Sequence, residues 1–159
     1  ILELGCGWGS MTLYLARRFP DSSIVAVSNS ATQKEWIDRA GFPNVEVRQG
    51  DMHALPFPNG SFDLVVLMHA LTYATKPAQA VAEAARVLKR GGRLLLSSLA
   101  RHEHRAVVEA YGHANLGFSE KELRKFADKA GLQVASSGTV TRERRPPHFE
   151  VISLLGVKP

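Results

Sequence analysis

A chain of 159 residues is about the length of one domain, and an apolar fraction of 45% is enough to form a hydrophobic core. No apolar run approaches the roughly 20 residues of a membrane-spanning helix, which excludes that class of protein. The net charge of +5 comes from basic residues scattered along the chain, so it is only weak evidence for an anionic partner.

The first element is a short apolar strand, Ile1 to Leu4, followed by glycines at positions 5, 7 and 9 and by a predicted helix over residues 10–19. Glycine permits positive φ and places no Cβ between the main chain and a ligand, while the start of a helix offers free N–H groups. A small anionic or polar ligand can therefore lie against this turn. The same pattern occurs in nicotinamide, flavin and S-adenosylmethionine sites, so the turn alone leaves the ligand open.

Cysteine and histidine usage excludes two further classes. Cys6 is the only cysteine, which rules out a disulfide framework and favours a cytoplasmic protein. The later histidines have no cysteine or carboxylate neighbours at metal-binding spacing, so no metal site is predicted; these are His102, His104, His113 and His148.

Strand and helix patterns alternate through the rest of the chain. Ser30 and Gln33 match an S-x-x-Q capping box at the start of a helix that ends near Gly41, and Gly91-Gly92 leads into a strand. The further predicted strands cover residues 24–27, 45–49, 62–68, 93–98, 134–140 and 149–157, and the further helices cover 77–89, 102–111 and 119–130.

These patterns predict an α/β fold: a Rossmann-like, doubly wound, mostly parallel sheet of seven strands with an antiparallel hairpin at the C-terminus. The segment between the last two strands is too short for a crossover helix, so those strands pair antiparallel. Residues 62–68 form the most apolar strand and are expected at the centre of the sheet.

Ligands of a doubly wound sheet bind beyond the carboxyl ends of its strands. The second strand ends in Ser28-Asn29, where a nicotinamide site usually has an acid. The third ends in Asp51-Met52, a carboxylate that can accept the amino group of adenine beside a thioether that can pack on the ring. Together with Ser10 at the sixth position of the glycine motif, these residues disfavour a nicotinamide site.

Four motifs make the chain similar to class I S-adenosylmethionine-dependent methyltransferases of the type 11 group: Glu3-Leu4-Gly5-Cys6-Gly7-Trp8-Gly9, Gly50-Asp51-Met52-His53-Ala54-Leu55-Pro56-Phe57, Ser61-Phe62-Asp63, and Arg86-Val87-Leu88-Lys89-Arg90-Gly91-Gly92. The resemblance implies S-adenosylmethionine as the cofactor. The glycines would meet its methionyl part, the residue after strand two its ribose, and the aspartate after strand three its adenine. The implied cofactor contacts are Glu3, Gly5, Cys6, Gly7, Gly9, Asn29, Gln33, Asp51, Met52 and Met68.

Within that class the motifs resemble two groups. The first motif with Ser28 to Gln33 resembles the cyclopropane-fatty-acid synthase and coclaurine N-methyltransferase group. From Asp51 onward the chain resembles methyltransferase domains fused to arsenic-repressor-type winged-helix regulators.

The acceptor is expected beside the fourth strand, because a transferred methyl group would lie at its end. His69 and Tyr73 follow that strand and are the candidates for orienting or deprotonating a substrate. For Ser30 and Gln33 the helix cap is favoured over cofactor contact, which makes Asn29 the better ribose candidate.

The leading hypothesis is methyl transfer from S-adenosylmethionine to a small-molecule acceptor. The alternative is an S-adenosylmethionine-sensing regulatory domain, which would meet nucleic acid only through an attached winged-helix DNA-binding module. A nicotinamide oxidoreductase is a third, disfavoured reading. Residues 1–159 are expected to form one methyltransferase domain that lacks the N-terminal helical segment covering the cofactor in this class.

Overall fold

The computed structural model describes residues 1–159, which form a seven-stranded sheet flanked by helices. The strands are β1 (Leu2–Leu4), β2 (Ile24–Ser28), β3 (Val45–Gln49), β4 (Phe62–Met68), β5 (Leu88–Leu99), β6 (Gln133–Arg142) and β7 (Glu150–Val157). The helices are α1 (Ser10–Arg18), α2 (Ala31–Asp38), α3 (Pro77–Val87), α4 (Arg105–Glu109) and α5 (Glu120–Lys129), with a short 3₁₀ helix at Ala70–Tyr73. None of these helices has the length and apolarity needed to cross a membrane.

The strand order is β3-β2-β1-β4-β5-β7-β6, which confirms the predicted fold class. The first five strands run parallel, and β7 pairs antiparallel with both β5 and β6. β4 is the middle strand, as its apolar sequence predicts. The chain winds from β1 outward to β3 and then returns to β4 on the other side of β1, so the strand order reverses between β1 and β4.

The core lies mainly on the sheet face covered by α3 and α5. Small residues on α3, such as Ala80 and Ala84, are fully buried there and let the helix approach the strands closely. On the opposite face α1 and α2 pack over smaller clusters around Ala16 and Ile37. Both faces of the parallel strands are thus covered, which explains why β2 is buried at all five positions.

Most element boundaries lie within about three residues of the predictions, but β5 begins earlier and α4 is shorter than predicted. β5 begins at Leu88 and not after the glycine pair, because Leu88 already pairs with Phe62 and an irregularity in the register follows. The helix predicted over 102–111 is only α4, because the N–H groups of Arg101 and His102 donate to the carbonyls of Phe118 and Leu116. Residues 100–102 therefore run alongside residues 116–118 and cannot be helical.

The free carbonyl groups at the C-terminal end of α3 accept hydrogen bonds from Lys158, near the C-terminus of the chain. Lys158 Nζ donates to the carbonyl oxygens of Ala85 at 2.8 Å, Arg86 at 3.1 Å and Leu88 at 2.7 Å. The last carbonyls of a helix have no partner within the helix and carry partial negative charge, so an ammonium group there is favourable.

We predict that Lys158→Met lowers the free energy of unfolding by about 1–2 kcal/mol, because three carbonyl groups lose a charged donor. Lys125→Met is the matched control, since Lys125 is exposed on α5 and makes no hydrogen bond, and it should change stability by less than about 0.5 kcal/mol. Urea unfolding of the three proteins measures both values. Equal losses in the two variants would show that the contact contributes nothing beyond charge.

Candidate cofactor and acceptor site

A cavity of about 420 Å³ opens at the carboxyl ends of β1 to β4, where the strand order reverses. Seven residues predicted from the sequence line it: Gly5, Gly7, Asn29, Gln33, Asp51, Met52 and Tyr73. The remaining lining residues are Trp8, Val27, Ser28, Gly50, His53, Ala70 and Tyr111. Cavities of this size at such a position accommodate small ligands and cofactors.

The glycine turn is tied to β2 by one carbonyl oxygen. Val27 O accepts hydrogen bonds from the N–H groups of Gly5 at 2.9 Å and Cys6 at 3.1 Å. The next two N–H groups, those of Gly7 and Trp8, donate to no acceptor in the protein, and both residues line the cavity. Gly7 has φ +53°, and a Cβ built there would meet no protein atom within 4 Å. This part of the turn therefore offers bare main chain and free donors to a ligand.

Two other residues of the turn face away from the cavity. A Cβ on Gly9 would lie 2.7 Å from Ile37 Cγ1, so glycine is required there to let α1 and α2 pack. The Cys6 side chain is buried in the same cluster, and its burial, together with the nearby Glu3 carboxyl, raises the pKa of the thiol to about 12. Neither Cys6 nor Gly9 lines the cavity, so a contact of these two residues with the cofactor stays a prediction.

At the end of β2, the main chain of Gln33 takes part in the helix cap, and its side chain lines the cavity. Ser30 caps α2, because its hydroxyl accepts a hydrogen bond from Gln33 N at 3.3 Å. The Gln33 side chain does not reach back to Ser30 as in a capping box; its Oε1 accepts a bond from the Ser28 hydroxyl at 2.6 Å. That bond keeps the amide of Gln33 in the cavity wall beside Asn29, which is exposed.

At the end of β3, Asp51 is paired with His53. Asp51 Oδ1 accepts bonds from His53 N at 2.9 Å and from His53 Nδ1 at 2.6 Å, and these bonds hold the pKa of the carboxyl below its usual value. Asp51 Oδ2 has no partner in the protein. Met52 is half-buried, and its methyl carbon would lie 3.5 Å from a Cβ built on Gly5. The thioether therefore packs against the glycine turn.

Beyond β4 the structure groups two histidines with a tyrosine. His69 has φ +57°, and burial together with the neighbouring His113 lowers the pKa of its imidazole. The Tyr73 ring, half-exposed in the cavity wall, meets the His113 ring edge-on with centroids 4.8 Å apart. His69 is not part of the cavity lining and lies next to it on this side. Met68 is also outside the lining; its sulfur accepts a bond from the Ser97 hydroxyl at 3.4 Å.

Seven lining residues are absent from the predicted site, and three of them carry aromatic or imidazole side chains: Trp8, His53 and Tyr111. Trp8 is 56% exposed and edge-on to Trp36, with ring centroids 6.0 Å apart. His53 is given no role by the sequence, although its position two residues after Asp51 is a spacing at which an aspartate can bond a following residue. Tyr111 is brought to the cavity by the turn after α4, which no local pattern indicates.

No group of three or more histidine, cysteine, aspartate or glutamate side chains is placed to hold a metal ion.

Glu3, in the middle of β1, is a buried carboxyl outside the cavity lining. It is 2% exposed, and its only side-chain partner is the Thr12 hydroxyl of α1, which donates to Oε2. Burial raises the pKa of this carboxyl from 4.5 to about 7, and the single hydrogen bond from Thr12 offsets only part of that effect. Near neutral pH, Glu3 is therefore close to its titration midpoint.

We predict a pH-dependent difference in stability between the unaltered chain and Glu3→Gln. Below about pH 4.5 the Glu3 carboxyl is protonated in the folded and unfolded chain, but between 4.5 and 7 only the unfolded chain ionises, so rising pH costs folding stability. The glutamine is neutral throughout and can still accept from Thr12. Its stability advantage should grow by up to about 3 kcal/mol over that range and then level off. Urea unfolding from pH 4 to 8 measures it, and a constant difference would contradict the raised pKa.

The comparisons with known proteins agree with this geometry. A family model described as a methyltransferase domain matches residues 2–96. A 37.1 kDa protein in transposon TN4556 of Streptomyces fradiae is 40% identical over 98 residues, which is 60% of this chain and 28% of that protein. The malonyl-[acyl-carrier protein] O-methyltransferase of Hahella chejuensis is 33% identical over 141 residues, 84% of this chain and 50% of the enzyme. This chain thus spans between about a quarter and a half of the length of these relatives.

Solved structures give the same fold. The geranyl diphosphate C-methyltransferase of Streptomyces coelicolor A3(2), solved with Mg²⁺, geranyl diphosphate and S-adenosyl-L-homocysteine, superposes with a TM-score of 0.83 at 17% identity. The superposition covers 99% of this chain and 70% of that one. The family match over residues 2–96 and the four motifs lead to one conclusion: this chain belongs to the methyltransferase domain family, in the class I S-adenosylmethionine-dependent group.

Proposed function

We propose that this chain binds S-adenosylmethionine in the 420 Å³ cavity and transfers its methyl group to a small-molecule acceptor. One observation carries the proposal. The free N–H groups of the glycine turn, the Gln33 amide and the Asp51 carboxylate line a single cavity, with Tyr73 on its β4 side. In the proposal, each of these groups would meet a different part of the cofactor.

The residues present fit this cofactor. Gly7 and Trp8 have donors free for the methionyl carboxylate, and Gly7 has no Cβ to obstruct it. Asn29 and Gln33 present amide groups suited to ribose hydroxyls. Asp51 Oδ2 is free to accept the adenine amino group, and Met52 offers an apolar surface to the ring.

When bound, S-adenosylmethionine supplies a methyl group already activated by its sulfonium, so no metal or covalent nucleophile is needed. The chain has to hold the acceptor atom about 3 Å behind that methyl group and keep water away. Tyr73 and His69 lie on the side where the acceptor would approach. Because the pKa of His69 is lowered, its imidazole is largely neutral at pH 7 and can accept the acceptor's proton at a ring nitrogen.

The acceptor and the setting belong to the proposal as well. A small-molecule acceptor is proposed because Tyr73, one of the two acceptor candidates, lines the same cavity as the cofactor candidates. A cytoplasmic setting is supported by Cys6, a free thiol buried in the core. The alternative of a sensor domain joined to a winged-helix module uses the same cofactor site and stays a prediction.

We expect calorimetry to show binding of S-adenosylmethionine and S-adenosylhomocysteine at least about tenfold tighter than NAD, because the end of β2 has no acid for the adenosine ribose of NAD. Adenosine alone is the control for adenine recognition without the methionyl part, and it should bind more weakly than S-adenosylhomocysteine. NAD binding as tight as that of S-adenosylhomocysteine would overturn the proposal.

We also expect two neighbouring glycines to separate ligand binding from folding. Gly7→Ala should weaken S-adenosylhomocysteine binding by about tenfold or more, at a stability cost of about 1 kcal/mol for its positive φ, because the new methyl group occupies the cavity. Gly9→Ala has the same backbone cost plus the clash with Ile37, so it should lose about 2–4 kcal/mol of stability. In its folded fraction, affinity should stay within about threefold. Thermal unfolding and calorimetry check both, and a larger affinity loss in Gly9→Ala would contradict this division of roles.

A further inference from the structure

His53 is held at both ring nitrogens. Its Nδ1 lies 2.6 Å from Asp51 Oδ1, and its Nε2 accepts a hydrogen bond from the main-chain N–H of Lys76 at 3.3 Å. Its own carbonyl oxygen accepts a bond from Gln79 Nε2 at 2.8 Å. The ring thus connects the end of β3 to the start of α3, and it is largely buried in that position, with 16% of the side chain exposed.

The Lys76 contact determines which way the histidine is protonated. A main-chain N–H can only donate, so Nε2 must present its lone pair, and the proton of the neutral imidazole is then on Nδ1. That proton points to Asp51 Oδ1, which also accepts the main-chain N–H of His53 at 2.9 Å. Both bonds use one oxygen of the carboxylate and leave Oδ2 free.

Asp51 has little else to fix its orientation. Its side chain is 66% exposed, and all of its hydrogen bonds come from His53. A side chain this open to solvent would otherwise exchange between rotamers, and a ligand would then have to select one of them. The largely buried imidazole, anchored on α3, removes that freedom before the ligand arrives.

We infer that His53 is a positioning residue for the cofactor site: anchored by Lys76, it orients the Asp51 carboxylate so that Oδ2 accepts the amino group of adenine. This inference rests on the proposed function, since it takes the cavity to be the S-adenosylmethionine site. His53 itself acts through Asp51, which makes the contribution of the two residues non-additive.

The test is a double-mutant cycle on S-adenosylhomocysteine affinity measured by calorimetry. His53→Ala should weaken binding about tenfold in the unaltered chain, and by less than about twofold in the Asp51→Ala background, where no carboxylate remains to be oriented. His53→Asn should recover most of the loss, because its amide N–H can replace Nδ1–H as the donor to Asp51. His104→Ala is the matched control, being an exposed histidine outside the cavity.

A ligand analogue separates positioning from general structural damage. The S-adenosylhomocysteine analogue with hydrogen in place of the adenine amino group (the purine analogue) has no donor for Asp51. His53→Ala should leave the affinity for this analogue within about twofold, while lowering the affinity for S-adenosylhomocysteine. Melting temperatures of all variants are recorded without ligand.

The outcomes distinguish the two proposals. If S-adenosylhomocysteine binds, Asp51→Ala weakens it and His53→Ala does not, the positioning role is overturned and the cofactor site stands. If His53→Ala weakens both ligands equally, or weakens binding as much in the Asp51→Ala background, His53 is structural and the inference is again overturned. If the unaltered chain binds no S-adenosylhomocysteine, both proposals are overturned.

Discussion

The arrangement of the site depends on one main-chain oxygen, that of Val27 at the end of β2. By accepting the N–H groups of both Gly5 and Cys6, it fixes the exit of β1 against its neighbouring strand and turns the chain away from the sheet. The next N–H groups, those of Gly7 and Trp8, are then left without protein partners at the mouth of the cavity. α1 can start at once behind the turn because Gly9, the N-terminal cap, makes room for Ile37 of α2. The two hydrogen bonds thus leave the N–H groups of Gly7 and Trp8 free, and the glycine at position 9 lets α1 and α2 pack directly behind the turn.

A motif that is continuous in sequence is divided between two tasks in space. Within the first motif, Gly5 and Gly7 line the cavity. Cys6 and Gly9 pack between the sheet and α2. Glu3 is buried beneath α1, where it accepts a hydrogen bond from Thr12. The later motif residues divide in the same way. Asp51 and Met52 face the cavity, but Arg86 donates to the carbonyls of Leu55 at 3.0 Å and Phe57 at 2.7 Å, which fastens the loop after β3 onto α3. Motif spacing identifies the set of residues, and only the three-dimensional arrangement shows which of them line the cavity.

The sequence predicts most of the fold because its strands are strongly patterned. Apolar β2 and β4 and the short β6–β7 connection are sufficient to predict a parallel sheet with β4 at its centre and an antiparallel end. The strand ends likewise locate the cavity, since parallel strands bring their carboxyl ends to one edge. The failures have a different origin. The shortened α4, the Gln33 bond to Ser28 and the His53 bond to Lys76 all depend on partners brought by the tertiary structure, and no local pattern encodes them.

The charges around the site are consistent with chemistry on a sulfonium. In the proposed reaction a positive charge leaves sulfur and is dispersed toward the acceptor, so a fixed cation beside the transferring methyl group would oppose both binding and reaction. Burial lowers the pKa of both imidazoles, His69 and His113, and the nearby His113 lowers that of His69 further, so neither is a fixed cation near neutral pH. Asp51, by contrast, keeps its negative charge because the hydrogen bonds from His53 hold its pKa down. In the proposed site, neutral imidazoles would lie near the reacting group and the Asp51 carboxylate would meet the adenine. These ionisable residues differ mainly in how they are buried and paired.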